Sequence, residues 1–291
     1  MIYPFDLKNS SDYSLWREQK LASVPGTVAD LVVEVSDPFA LSRVEREALM
    51  FRVRRCNMAL YASPALEANT LIPRALGLQF GLEHLDANWL AYEDGISEIK
   101  VTNNGTRQAY IPYTNRPIKW HTDGYYNPPE RKVLAMVLHC VRSAAKGGES
   151  HLMDHELAYL LLRDQDPAFI YALMQEDAMT IPERIDETDG IRQAQSGPVF
   201  SVDALTGRLH MRYTARTRSI QWKQDAVTLD AVAALEKLLN SSSPYVYQAR
   251  LEPGMGLLCN NVLHDRAGFI DNQHSPRLIY RARYCDLIRD V

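Results

Sequence analysis

Little in this chain would hold it together from outside a folded core. Its 291 residues include only four cysteines, Cys56, Cys140, Cys259 and Cys285, with no C-x-x-C pair among them. That excludes a disulfide framework and a zinc knot and leaves buried free thiols. No apolar run approaches the ~20 residues a membrane span needs. The start, MIYPFDLKNSSDYSLWREQK, lacks a basic segment followed by an apolar stretch and a cleavage site. A cytoplasmic protein without a membrane partner is the expectation. Basic excess is missing as well: the formal net charge is −4 and 23% of residues are charged, so nucleic acid is a poor partner. Small-molecule ligands remain, and a homo-oligomer stays open. There is no internal repeat, low-complexity tract or linker, which predicts one domain over residues 1–291.

What is present is apolar material, 46% of residues, enough for a sizeable core. LVVEV (31–35) reads as a strand. Ser42 and Glu45 form a capping box that opens a helix running to about Arg55, and NMALYA resembles a further strand. Asp166-Pro167 is an N-cap with proline in the first helical position for AFIYALMQ, and residues 229–240 carry apolar side chains at helical spacing. Strand signals follow at 132–141, 198–202, 208–215, 245–251, 256–263 and 277–285. A turn at Pro253-Gly254 and a hairpin connection at Thr206-Gly207 separate some of them. Strands without βαβ alternation predict a mainly β sandwich or barrel dressed with helices rather than a doubly wound sheet.

Two H-x-[DE] triplets occur. In His84-Leu85-Asp86 a partly helical setting would send the two side chains to opposite sides, which implies surface or capping use. His121 and Asp123 lie in KWHTDGYY, where a strand would turn both to one face about 7 Å apart, with Thr122 turned away. His264, after the apolar run GLLCNNVL, is the best third ligand. Two imidazoles and a carboxylate suit a non-haem iron(II) oxygenase and equally a zinc or manganese hydrolase. A non-catalytic jelly-roll binding module is also left open.

A second binding group would separate these chemistries. Arg277 heads an alternating strand, and Arg281, four residues on, looks the same way; a guanidinium fork matches a carboxylate in a way lysine cannot. At this point the sequence resembles the taurine dioxygenase (TauD/TfdA) family of iron(II)- and 2-oxoglutarate-dependent oxygenases. The resemblance is carried by WHTDGYYNPP, GGESHLMD (147–154), GPVFSVDALTGRLHMRYTARTRSIQW (197–222), LEPGMGLLCNNVLHDRAGF (251–269) and RLIYRARY, in register over roughly residues 30–285. It implies a double-stranded β-helix (jelly-roll) core and dioxygen chemistry. His121, Asp123 and His264 would be the iron ligands, and Arg277 would hold the distal carboxylate of 2-oxoglutarate, with Ser150 where the family often has threonine. Asn260 replaces a common aspartate, and Asp265 stands where glycine is usual. Halogenating relatives lack the carboxylate ligand, so Asp123 favours hydroxylation or a related oxidation.

For substrate contacts the candidates are Tyr125, Tyr126, Arg212, Tyr213 and Arg216, with Arg218 and Trp120 nearby and Arg281 on the face of Arg277. Inward arginines would select a small anionic or zwitterionic metabolite, and the aromatics would wall the pocket, cage a cation or pack in the core. The polar stretch 183–196 leaves a lid and a merely mobile loop both open.

Overall fold

The computed structural model describes residues 3–86, 95–102, 106–186, 190–216, 220–272 and 274–290. Two sheets form its centre. The larger has the strand order Val32–Glu34, Met58–Ala62, Met255–Cys259, Ala135–Arg142, Leu278–Tyr284, Ser97–Ile99. The smaller runs Tyr247–Ala249, Ser150–Met153, Leu263–Arg266, Ile118–His121, all antiparallel.

Alternation along the strands decides what each face meets. Met58, Leu60, Met136, Leu257 and Cys259 of the larger sheet join Leu152, Tyr247 and Ala249 of the smaller in one buried cluster, so these faces look at each other. The intervening residues Ala59, Tyr61, Val137, Leu258 and Tyr280 pack instead against Leu49, Met50, Val53 and Leu76 of the helices Arg43–Cys56 and Leu71–Leu78. On the far side of the smaller sheet, Trp120, Met153 and Leu263 pack against helices His155–Gln165, Pro167–Leu173 and Ala226–Leu239. Helix and strand therefore contribute comparably, and the fold is mixed α/β rather than mainly β. The helices Ser10–Ala22, Leu71–Leu78 and His155–Gln165 were not foreseen. The first of them has Lys20 as its only buried residue, so it carries almost no apolar periodicity to read.

Local chemistry explains the boundaries. Ser42 and Glu45 complete both halves of the expected capping box, and the helix they open ends on Asn57 at φ 58°, a left-handed position that asparagine tolerates. Asp166 caps Ala168 N as expected from its place before proline. The Thr206-Gly207 connection joins the antiparallel pair Phe200–Val202 and Leu209–Met211. At Gly254, φ is +86° and a Cβ would lie 2.2 Å from Ser63 O, so the turn requires glycine. The run 256–263 is not one strand. It breaks at Asn260-Asn261, with Asn261 at φ 47°, and crosses from the larger sheet to the smaller. All four cysteines are free, and Cys56, Cys140 and Cys259 are buried. Among the described residues no helix is long and apolar enough to cross a membrane.

Candidate metal centre

His264 lies directly opposite His121 in the antiparallel pairing of Leu263–Arg266 with Ile118–His121, and the two imidazole centroids are 4.2 Å apart. The strand ends at His121, so Asp123 does not reach the site by strand alternation as the sequence predicted. A turn through Gly124, at φ +70° and packed against Val133, brings its carboxylate to 3.5 Å from His121 Nε2. Thr122 does turn away: its hydroxyl accepts from Tyr213 N at 3.1 Å. One ligand atom from each of His121, Asp123 and His264 lies within 4.8 Å of the others.

The protonation pattern fits a divalent cation. His121 Nδ1 donates to Lys119 O and His264 Nδ1 to Val262 O, both at 2.9 Å. A carbonyl can only accept, so each neutral ring is left with an unprotonated Nε2, the lone pair a metal needs. Burial, reinforced by the neighbouring His121, pushes His264 down to about 4. Burial alone would raise the Asp123 carboxyl. Arg281, 3.0 Å away, overcomes this with help from His121 and Arg283, and holds it well below the usual carboxylate range.

Arg277 is 9% exposed, and its Nη1 has no hydrogen-bond partner among the described residues. It stands over the Phe269 ring at 5.2 Å and shares the wall of a small cavity with Ser150, Gly147 and Gly148. A buried guanidinium without a carboxylate is costly unless an anion completes it. Arg277 thus brings a buried donor without a partner to the wall of this cavity, and burial lowers its pKa.

Residues 74–283 match the family described as Taurine catabolism dioxygenase TauD, TfdA family. The chain belongs to this family of iron(II)- and 2-oxoglutarate-dependent oxygenases. A uridine-5'-phosphate dioxygenase from Amycolatopsis sp is 30% identical to it over 175 residues, 58% of this chain and 62% of that protein. Another, from Streptomyces sp, is 26% identical over 187 residues, 62% of this chain and 66% of that protein. The matches thus span less than two thirds of either relative's length. Among solved structures, asparagine oxygenase in complex with Fe(II), 3-hydroxyasparagine and succinate superposes with a TM-score of 0.61 at 13% identity, covering 95% of this chain and 92% of that one. The non-heme iron oxygenase OrfP, in complex with Fe and alpha-ketoglutaric acid, gives a TM-score of 0.60 at 16% identity, covering 93% and 90%. These two likenesses carry the fold.

The remaining sequence candidates divide. In this TauD/TfdA chain Arg281 faces the metal site, paired with Asp123. Tyr125 and Tyr126 follow the metal loop with their rings edge to face at 5.1 Å, and Arg216 is half-buried close enough for its charge to act on Tyr125. Arg212 is used elsewhere. Its three nitrogens donate to Tyr125 O at 2.7 Å, Met179 O at 3.0 Å, Gly197 O at 3.4 Å and Gln195 O at 2.7 Å, which is a structural clamp rather than a substrate contact. Tyr213 is fully buried in the helical core cluster beside Trp222, out of a substrate's reach, and Trp120 is core as well. Arg218 and residues 187–189 of the polar stretch lie outside the described residues. Asp265 pairs with His151 at 3.0 Å on the outer face of the sheet, turned from the metal. His84 does serve the surface, bound to Asp286, whereas Asp86 is buried between Arg131 and Arg283.

One functional residue escaped the sequence reading. Asn261 accepts from Asp123 N at 2.8 Å and donates to Asp123 O at 2.9 Å and Val133 O at 2.7 Å, fixing the loop that carries the carboxylate. An amide pair inside an apolar run was the available signal, since a buried asparagine needs partners.

Proposed function

We propose that the protein is an iron(II)- and 2-oxoglutarate-dependent dioxygenase that oxidises a C–H bond of a small anionic metabolite, with the two sheets forming a double-stranded β-helix and the chain working as one domain. The free cysteines suit a reducing compartment such as the cytoplasm. The observation that carries the reading is a pairing of two open sites: three metal-binding groups with their lone pairs exposed, and a buried guanidinium lacking its anion.

In this reading His121, Asp123 and His264 hold the iron, and bound iron(II) with 2-oxoglutarate and dioxygen supplies the oxidising power, releasing succinate and carbon dioxide. Arg277 takes the distal carboxylate of the cosubstrate through parallel hydrogen bonds, and Ser150 adds a hydroxyl from the same wall. Arg281 keeps the Asp123 carboxylate ionised and oriented. Apolar residues lining the cavity between the sheets exclude water and strengthen each of these contacts.

Arg216 beside Tyr125, with Tyr126 adjoining, offers a cation next to aromatic faces, which suits a ring that bears an anionic group. The relatives act on uridine-5'-phosphate by name, so nucleoside 5'-phosphates are the class we assign first. The test is anaerobic addition of iron(II) and 2-oxoglutarate, where a visible absorption band is expected, followed by succinate release with a panel of nucleotides and amino acids. Absence of both the band and succinate with every substrate would refute the assignment.

A further inference from the structure

The Arg277 side chain makes no hydrogen bond and no ion pair among the described residues. The nearby Asp271 accepts at 2.6 Å from the Arg277 backbone N, not from its guanidinium. An unpartnered guanidinium on a flexible stem has no fixed plane, whereas two parallel hydrogen bonds to a carboxylate need one. Some contact other than a hydrogen bond must therefore hold the fork.

The buried ring of Phe269 is that contact. The Arg277 guanidinium carbon lies over it, 5.2 Å from the centroid, and the guanidinium carbon of Arg266, also buried, lies over the same ring at 5.0 Å. The two cations differ in anchoring. Arg266 donates from Nη1 to Pro112 O at 3.2 Å and from Nη2 to Thr114 O at 2.7 Å and Arg116 O at 2.6 Å, so it is tied to the segment ahead of the strand Ile118–His121. Burial first, and then the charge of Arg277, push Arg266 down to about 9, as two guanidiniums sharing one ring should. Phe269 is itself fixed: its N donates to Asn115 O at 3.1 Å, and it pairs with Gly147, which lines the cavity that Arg277 lines. Gly148 lies beside both side chains. A Cβ there would be 3.5 Å from Phe269 Cβ and 3.6 Å from Arg277 Nε, so ring and guanidinium are packed together at the cavity wall.

We propose that Phe269 is a positioning residue for the cosubstrate: its face stacks on Arg277 and holds the fork in the plane in which it meets the distal carboxylate. The inference rests on Arg277 binding 2-oxoglutarate, as proposed above. Carbonyls perform this task for Arg266, but each carbonyl occupies an N–H. A cation–π contact orients the guanidinium and leaves its N–H groups to the ligand, so the site is preorganised without being used up.

A double-mutant cycle tests this, with 2-oxoglutarate titrated anaerobically into the full-length, iron-loaded protein and binding read from the visible absorption band. Phe269→Leu keeps apolar bulk and removes the ring, and 2-oxoglutarate affinity should fall about tenfold while iron(II) affinity stays unchanged. In the Arg277→Ala background the same substitution should change affinity by less than about twofold, because no guanidinium is left to orient. Unchanged affinity in Phe269→Leu, an equal loss in both backgrounds, or a parallel loss of iron would overturn the role of Phe269, since a ring that merely fills space predicts those results. No band in the unaltered protein would overturn the cosubstrate assignment, and the role of Phe269 with it. Phe269→Met, likewise without a ring, replaces the leucine variant if that one does not fold, and circular dichroism reports folding for both.

Discussion

Arg212, half-buried, and Arg277, buried, differ in what the fold leaves them. Arg212 spends its guanidinium on four backbone carbonyls and ties the strands Met179–Ile181 and Gln195–Gly197 to the segment after the metal loop. Arg277, likewise in no ion pair among the described residues, keeps Nη1 without a partner beside a cavity. Burial depresses both, Arg212 to about 10, so electrostatics alone does not separate them. Satisfaction of the hydrogen-bonding groups does, and it separates a clamp from a binding site.

The same distinction orders what substitutions should do. His264→Ala removes a ligand whose Nε2 the fold leaves open, and succinate formation should fall by about a thousandfold or more, with metal content lost on elemental analysis. Arg277→Ala should weaken 2-oxoglutarate binding roughly a hundredfold while iron(II) is retained, read from the absorption band. Arg212→Met is its counterpart: 2-oxoglutarate affinity should stay within about threefold, whereas stability should drop by roughly 2–4 kcal/mol as four carbonyls lose their donor. If Arg212→Met instead abolishes cosubstrate binding and Arg277→Ala only destabilises, the comparison has been read backwards. Asn261→Ala, which frees the Asp123 loop without touching a ligand, should cost about 10- to 100-fold in metal affinity, measured by competition with a chelator.

The smallest effect concerns a histidine that is not one of the three metal-binding residues. His139 is fully buried, its Nδ1 on the Tyr61 hydroxyl at 3.0 Å, and burial pushes it down to about 4. Above pH 6.5 the folded and unfolded chains both hold it neutral. As pH falls from 6.5 to 4 only the unfolded chain gains the proton, so stability should decline by roughly 3 kcal/mol over that window from this residue. Denaturant titrations of His139→Phe should show a correspondingly flatter decline.

Much of this was legible in the chain. The Ser42/Glu45 capping box, the proline-led helix and most strand cores emerged from short-range pattern, because caps and turns are decided by chemistry within a few residues. The family motifs pointed to the ligands. Besides the three unforeseen helices and the bracing role of Asn261, three features were not legible. The strand ends at His121, so Asp123 is placed by a turn, and a turn with one glycine looks like strand continuation in KWHTDGYY. The run 256–263 reads as one strand because nothing apolar interrupts it, although Asn261 breaks it with a positive φ. Arg212, Tyr213 and Arg216 sit together in RYTARTR, yet one is a clamp, one is core and one faces the metal loop.

By itself the sequence determined the donor types, the two-residue spacing of His121 and Asp123, and the local caps and turns, since these depend only on side-chain chemistry and near neighbours. The tertiary structure decided that His264 stands across from His121, that Arg281 meets Asp123, and which arginine keeps a free nitrogen. Those are matters of sheet register and of which carbonyls happen to lie within reach, and they arise only when distant segments have packed.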